Sequence, residues 1–260
     1  MIFPKIQQGH TTLFPTKVTD TAILFSENFY PSISENEQLV RHSAFSLSYS
    51  EEHEQAKWVA YLLSSPMCNN KGEERSNNFR ADKSIRSGSA KPEEYKKSGF
   101  DRGHLCPAGD MGWSEQSMSE SFLMSNMSPQ VPPFNRGIWK RLETQVRTWA
   151  IQNEEIYVVT GGVLNEHLQK MGASCISIPE YYYKVILDYK EPHLKAIAFI
   201  LPNQGSKESF YECVVSIDSV EQLTGLNFFP ALPDSLETNL EKSSSLKGWC
   251  NPRHCNLTSL

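Results

Sequence analysis

The strongest periodic signal in the chain is a helical stripe. Trp139, Leu142, Val146, Trp149 and Ala150 recur at the spacing of one α-helix face. The other apolar runs are short and read as strands: residues 45–49, 57–63, 156–160, 182–189 and 195–201. Residues 214–223 lead from a strand into a short helix, and Ser114 is a plausible N-cap for a helix over 114–125. The loop 126–133 is expected from its three prolines, Pro129, Pro132 and Pro133. Residues 66–99 are polar and basic with little periodicity, a length of surface segment that is unusual unless it is functional. Many short strands around one strong helix imply an α+β fold.

The 260 residues show no internal repeat and no convincing linker, so one large domain is expected over residues 41–236. It would carry an N-terminal arm over 1–40 and a polar, loosely held tail over 237–260. A hydrophobic content of 39% supports a buried core, and no run approaches the length of a membrane span. The first residues lack the basic and apolar pattern of a signal peptide.

The net charge of −5 argues against a protein that coats nucleic acid by charge alone. Its distribution says more. Residues 75–104 and 136–147 together carry +7, and the remainder carries −12. The six cysteines form neither a zinc frame nor a small disulfide scaffold. Cys250 and Cys255 are close enough in sequence to pair in an oxidising compartment.

The positive segments bracket the chain's most chemically loaded run, Asp101-Arg102-Gly103-His104. Asp and Arg can hold each other, and Gly allows a close backbone approach. His exchanges protons near neutrality. Further on, Asn135 and Glu143 lie eight residues apart on the expected helix. At ~100° per residue they differ by about 80° and look toward one side. An amide oxygen and a carboxylate there are hard donors suited to Mg²⁺, although Asn135 could equally be an N-cap.

Together these segments resemble the DNA/RNA non-specific endonucleases, the ββα-metal family. The likeness rests on Asp101-Arg102-Gly103-His104, on Ser125-Asn126-Met127-Ser128-Pro129-Gln130, and on the run from Asn135 to Glu143. It implies an antiparallel sheet flanked by helices, in the ββα-metal (His-Me finger) nuclease fold. It also implies hydrolysis of DNA and RNA phosphodiesters with Mg²⁺, or Mn²⁺ in its place, leaving 5′-phosphate and 3′-hydroxyl ends. By the same resemblance His104 is the general base, Asn135 the metal ligand and Glu143 the acid that holds the metal's waters. Asn126 supports the site. Arg102 and an upstream arginine, Arg75 or its competitor Arg80, stabilise charge, and Arg136 is a further phosphate contact. The family's bacterial members suggest a secreted or periplasmic protein. The sequence leaves the oligomeric state open, a homodimer included. The rival reading is a catalytically silent nucleic-acid-binding domain of the same fold.

Overall fold

The computed structural model describes residues 29–34, 37–70, 72–190 and 194–250. Seven strands make one antiparallel sheet: β1 (Gln38–Arg41), β2 (Ser46–Ser50), β3 (Gln55–Ser64), β6 (Glu155–Gly162), β9 (Tyr181–Asp188), β10 (Lys195–Pro202) and β11 (Val214–Val215), adjacent in that order. A separate two-stranded finger pairs β4 (Asp101–His104) with β5 (Met127–Gln130), and β7 (Lys170–Met171) with β8 (Ile176–Ser177) forms a small ribbon. The helices are α1 (Ser65–Asn69), α2 (Glu115–Glu120), α3 (Lys140–Gln152), α4 (Ile217–Thr224) and α5 (Asp234–Glu241). This is the mixed α+β architecture expected. No described helix is long and apolar enough to cross a membrane.

The sheet is covered on both faces. Tyr182 and Ile186 of β9 pack with Leu142, Val146 and Trp149 of α3. The alternate residues Tyr183, Val185 and Leu187 pack with Ile217 and Val220 of α4 and Leu240 of α5. Both faces being dry explains why the central strands read as continuous apolar runs.

Three local readings need correction. The segment expected to be only a loop contains β5, with Pro129 opposite Arg102. Proline is tolerated because its carbonyl turns away from β4, accepting from the Tyr182 hydroxyl at 2.8 Å and the Asn203 amide at 3.1 Å. The helix expected over 114–125 stops at Glu120 and is followed by a 3₁₀ turn, Met124–Asn126. Ser114 does cap it, accepting from the Ser117 amide. The strong helix does not run straight from Phe134. Residues Phe134–Trp139 form a π turn in which Gly137 leaves helical geometry, at φ −108° and ψ −109°. The straight-helix angle between Asn135 and Glu143 therefore does not hold.

Outside the expected domain limits, the chain is still packed. Phe29 and Tyr30 are buried against the α4 side of the sheet. Trp249 is buried against Trp149, so this part of the expected tail is anchored by aromatic burial that its polar composition hides. Cys250 is disulfide-bonded. Cys255 lies outside the described residues, as does most of the expected arm.

Candidate active site

The β4–β5 finger sets the geometry. Its register places Asp101 opposite Gln130 and Gly103 opposite Ser128. Alternation along β4 sends Arg102 and His104 to one side and Asp101 to the other. Gly103 is required here by crowding: a Cβ would lie 2.2 Å from the Gln130 side chain.

Phe79 and Phe122 form an aromatic shelf beneath the Arg102 and His104 side. Their rings meet edge to face at 4.9 Å. The His104 ring meets Phe122 at 5.0 Å and Phe79 at 5.8 Å. The Arg102 guanidinium lies 4.2 Å from the Phe79 centroid, and that of Arg75 lies 4.8 Å from Phe122. One imidazole and two fixed cations thus share one platform.

His104 is buried, and its Nε2 has no hydrogen-bond partner among the described residues. Burial, then the charges of Arg75 and Arg102, push its pKa down to about 3. At neutral pH it is an uncharged imidazole between two positive groups. It can accept a proton, and a phosphate drawn to the arginines would meet it.

Asn126 is fully buried and brackets the chain just after His104. Its Oδ1 accepts from the Cys106 amide at 2.8 Å, while Nδ2 donates to the carbonyls of Cys106 at 2.9 Å and Ser121 at 2.8 Å. The side chain is spent on backbone, and it fixes the strand end that carries the imidazole.

On the other side of β4, Asp101 organises the π turn. Its Oδ2 accepts from Nδ2 of Asn135 at 2.9 Å and from Nε of Arg136 at 2.8 Å, and Oδ1 accepts from Nη2 of Arg136 at 2.6 Å. The Asn135 nitrogen is committed, so its oxygen is the end available to a cation.

Glu143, one turn into α3, is half-buried and makes no hydrogen bond or ion pair among the described residues. Burial raises its pKa, while Lys184, Arg147 and Arg75 oppose that rise. Behind it, Asp110 accepts from Arg147 at 2.7 Å and from the Tyr61 hydroxyl at 2.9 Å.

Of the residues singled out from sequence, Arg75, Arg102, His104 and Glu143 share one electrostatic neighbourhood, since Arg75 acts on both His104 and Glu143. Arg80 is turned elsewhere, donating to the carbonyls of Ser119 at 2.8 Å and Asn78 at 3.3 Å. Arg136 is held by Asp101. Sequence reading overlooked the Phe79–Phe122 shelf, Arg147 and Lys184. A lone lysine in the apolar run of β9 was the one available signal.

The Asn135 amide oxygen and the Glu143 carboxylate, neither with a hydrogen-bond partner among the described residues, are donors of the kind that suit a hard, largely hydrated divalent cation such as Mg²⁺. The three carboxylates that gather elsewhere, Asp218, Glu221 and Glu241, lie on α4 and α5 across the sheet.

The DNA/RNA non-specific endonuclease family matches residues 26–235. A zebrafish (Danio rerio) protein, mitochondrial nuclease EXOG, is 37% identical over 202 residues, covering 72% of this chain and 59% of that protein. A nuclease of Nostoc sp. is 31% identical, covering 87% of this chain and 80% of its own length. Human mitochondrial endonuclease G is 30% identical, covering 81% and 73%. A crystal structure of EndoG in complex with EndoGI superimposes with a TM-score of 0.72 at 30% identity, covering 79% of this chain and 90% of that one.

Proposed function

Since the chain belongs to the DNA/RNA non-specific endonuclease family, we propose that it hydrolyses phosphodiester bonds of both DNA and RNA with Mg²⁺, His104 serving as general base. The observation that carries this reading is the buried His104, its Nε2 without a hydrogen-bond partner among the described residues, on one aromatic platform with Arg75 and Arg102.

Residue by residue, the chemistry follows. His104 takes a proton from the attacking water at Nε2. Burial that keeps the imidazole neutral keeps this acceptor available well below neutral pH. Arg102 and Arg75, held on aromatic faces, neutralise charge that grows on the phosphate oxygens. Mn²⁺ would serve in place of Mg²⁺; Asn135 would ligate the ion and Glu143 would hold its waters, and the ion when bound would supply positive charge at the reacting phosphate. Asp101 orients the Asn135 amide, and Asn126 locks the backbone after His104. None of these groups needs a ribose 2′-hydroxyl, and phosphate contacts carry little sequence information. Cleavage of both nucleic acids to 5′-phosphate and 3′-hydroxyl ends is the outcome.

The test is digestion of plasmid DNA and of a structured RNA with Mg²⁺ against EDTA, beside His104→Ala, with end-group labelling of the products. Cleavage of both substrates that disappears with EDTA and falls steeply in the variant is expected. Undiminished cleavage by His104→Ala would remove the histidine from its role. Absence of cleavage by the wild type with any divalent ion would return the chain to a silent binding domain.

A further inference from the structure

The end of the finger away from His104 opens onto a pocket of about 450 Å³. Asp101 and Gln130 are the last paired residues there. The next residues out, Phe100 and Val131, line the pocket. Its far wall is the end of the main sheet, where Tyr181 and Pro202 form the last pair of β9 with β10, flanked by Pro179 and Asn203. The Asn203 side chain ties the two walls together. Its Oδ1 accepts from the Val131 amide at 2.9 Å, and its Nδ2 donates to the carbonyls of Pro129 at 3.1 Å and Pro179 at 2.9 Å.

The finger wall also reaches the candidate site. The Val131 carbonyl accepts from the Asn135 backbone amide at 3.0 Å. Phe100 directly precedes Asp101, which holds the side chains of Asn135 and Arg136. Along β4, His104 is four residues from Phe100, roughly 13 Å at the rise of a strand. A nucleic-acid strand whose phosphate sits at His104 and Asn135 therefore has a nearby nucleotide within reach of the pocket.

The lining selects which part of that nucleotide enters. It holds no lysine or arginine and one carboxylate, Glu180, so a phosphate is disfavoured. It holds two aromatic rings, and Tyr181 is 43% exposed although it belongs to a strand of the main sheet. A planar, uncharged base suits such a surface, because stacking on an aromatic ring is open to every base. The Gln169 and Gln204 amides line the pocket as well. An amide carries both donors and acceptors, so it can meet the edge of any base.

The geometry points to a nucleobase subsite: the pocket receives an unpaired base of the substrate strand, near the scissile phosphate, with Tyr181 as its stacking platform. This rests on the reading of His104 and Asn135 as the place where the phosphate is cut. A base in a duplex must first be unstacked and unpaired at a free-energy cost. The subsite therefore serves single-stranded DNA and RNA and contributes little on a duplex.

Binding of a fluorescent oligothymidylate and of a duplex of equal length, both in EDTA, tests this in wild type, Tyr181→Ala and Tyr181→Phe. Tyr181→Ala should weaken single-strand binding roughly 5- to 150-fold, the loss expected of one stacked base. Duplex binding should change little, and Tyr181→Phe should bind both like wild type. With Mg²⁺, the KM for single-stranded DNA should rise in Tyr181→Ala while that for duplex stays. A labelled single strand carrying one abasic residue gives the register: wild type should cut it poorly at a linkage a fixed distance from that residue, and Tyr181→Ala should show no such dependence. Should Tyr181→Ala melt well below wild type, Tyr181→Leu, which keeps apolar bulk in β9 without a π face, is read in its place. Wild-type binding of the single strand by the folded variant, equal losses on single strand and duplex, or an abasic residue without effect on wild type overturns the inference. Tyr181-dependent binding in EDTA by a protein that cuts nothing with Mg²⁺ would instead overturn the nuclease reading and leave the subsite standing.

Discussion

The side-chain amide of Asn135 donates to Oδ2 of Asp101 at 2.9 Å, so the first residue of the DRGH motif sets the orientation of an amide on another element. The same carboxylate holds Arg136 through both its oxygens. Its pKa is lowered: burial alone would raise it, but the Arg136 and Asn135 contacts outweigh burial. Asp101 therefore stays ionised at neutral pH and fixes which end of Asn135 is oxygen. Asp101→Ala should free the amide to rotate, weaken Mg²⁺ use, and lower kcat/KM about 10- to 100-fold at limiting Mg²⁺. Much of the loss should return at high Mg²⁺. A metal titration of plasmid nicking reads this, and equal loss at every concentration would separate Asp101 from the ion.

His104→Ala should lower kcat by about 10²- to 10⁴-fold with DNA binding retained. The group also leaves a signature in stability. Its folded pKa is about 3 against an ordinary 6.5. Between those values the unfolded chain binds a proton that the folded chain refuses. Its contribution is thus present above pH 6.5 and is lost as pH falls, at up to about 1.4 kcal/mol per pH unit. Urea melts at pH 7 and pH 5 should show a smaller pH dependence for His104→Ala than for wild type. Identical pH dependence would mean that the imidazole is not kept neutral by the fold.

What the sequence made legible was the chemistry carried by contiguous residues. Asp101 to His104 form one strand, and the stripe from Trp139 to Ala150 is buried as its spacing implies. Less visible were features set by tertiary context. Pro129 argued against a strand, and only the partners of its carbonyl reveal why it is accepted in one. The π turn at Gly137 is a local distortion that no apolar period encodes. Arg75 and Arg80 are indistinguishable as basic residues in a polar segment, and only the structure sets the first over Phe122 and the second against loop carbonyls. Lys184 looked like an ordinary strand residue because its compensating charges come from α3 and from the loop holding Asp110.

Gly103 lies in the motif for a packing reason. A methyl group there would meet the Gln130 side chain at 2.2 to 2.4 Å, and Gln130 is fully buried. Gly103→Ala should force the finger strands apart, destabilise the protein by about 1–3 kcal/mol, and displace His104. Trimming the obstacle with Gln130→Ala should recover part of both stability and activity. Absence of any recovery in the double variant would show that backbone freedom, and not side-chain space, is what the glycine provides.

Asp82 ties the long basic segment to the finger. It is buried, accepts from the Ser125 hydroxyl at 2.6 Å and the Ser84 amide at 2.8 Å, and lies 3.0 Å from the His42 imidazole. Ser125 directly precedes the bracketing Asn126, so this carboxylate braces the turn that leads into β5. Burial alone would raise its pKa, but His42, Ser125 and Ser84 bring it down to about 2. A carboxylate depressed in the folded state stabilises above its unfolded value near 3.8 and loses that contribution as pH falls toward 2. The contribution at neutral pH is on the order of 2 kcal/mol. Asp82→Asn keeps the shape and removes the charge. It should lower the melting temperature at pH 7, and the gap to wild type should close as pH falls through 4 toward 2. A gap unchanged across that interval would assign the loss to altered hydrogen bonding and not to the ionised carboxylate.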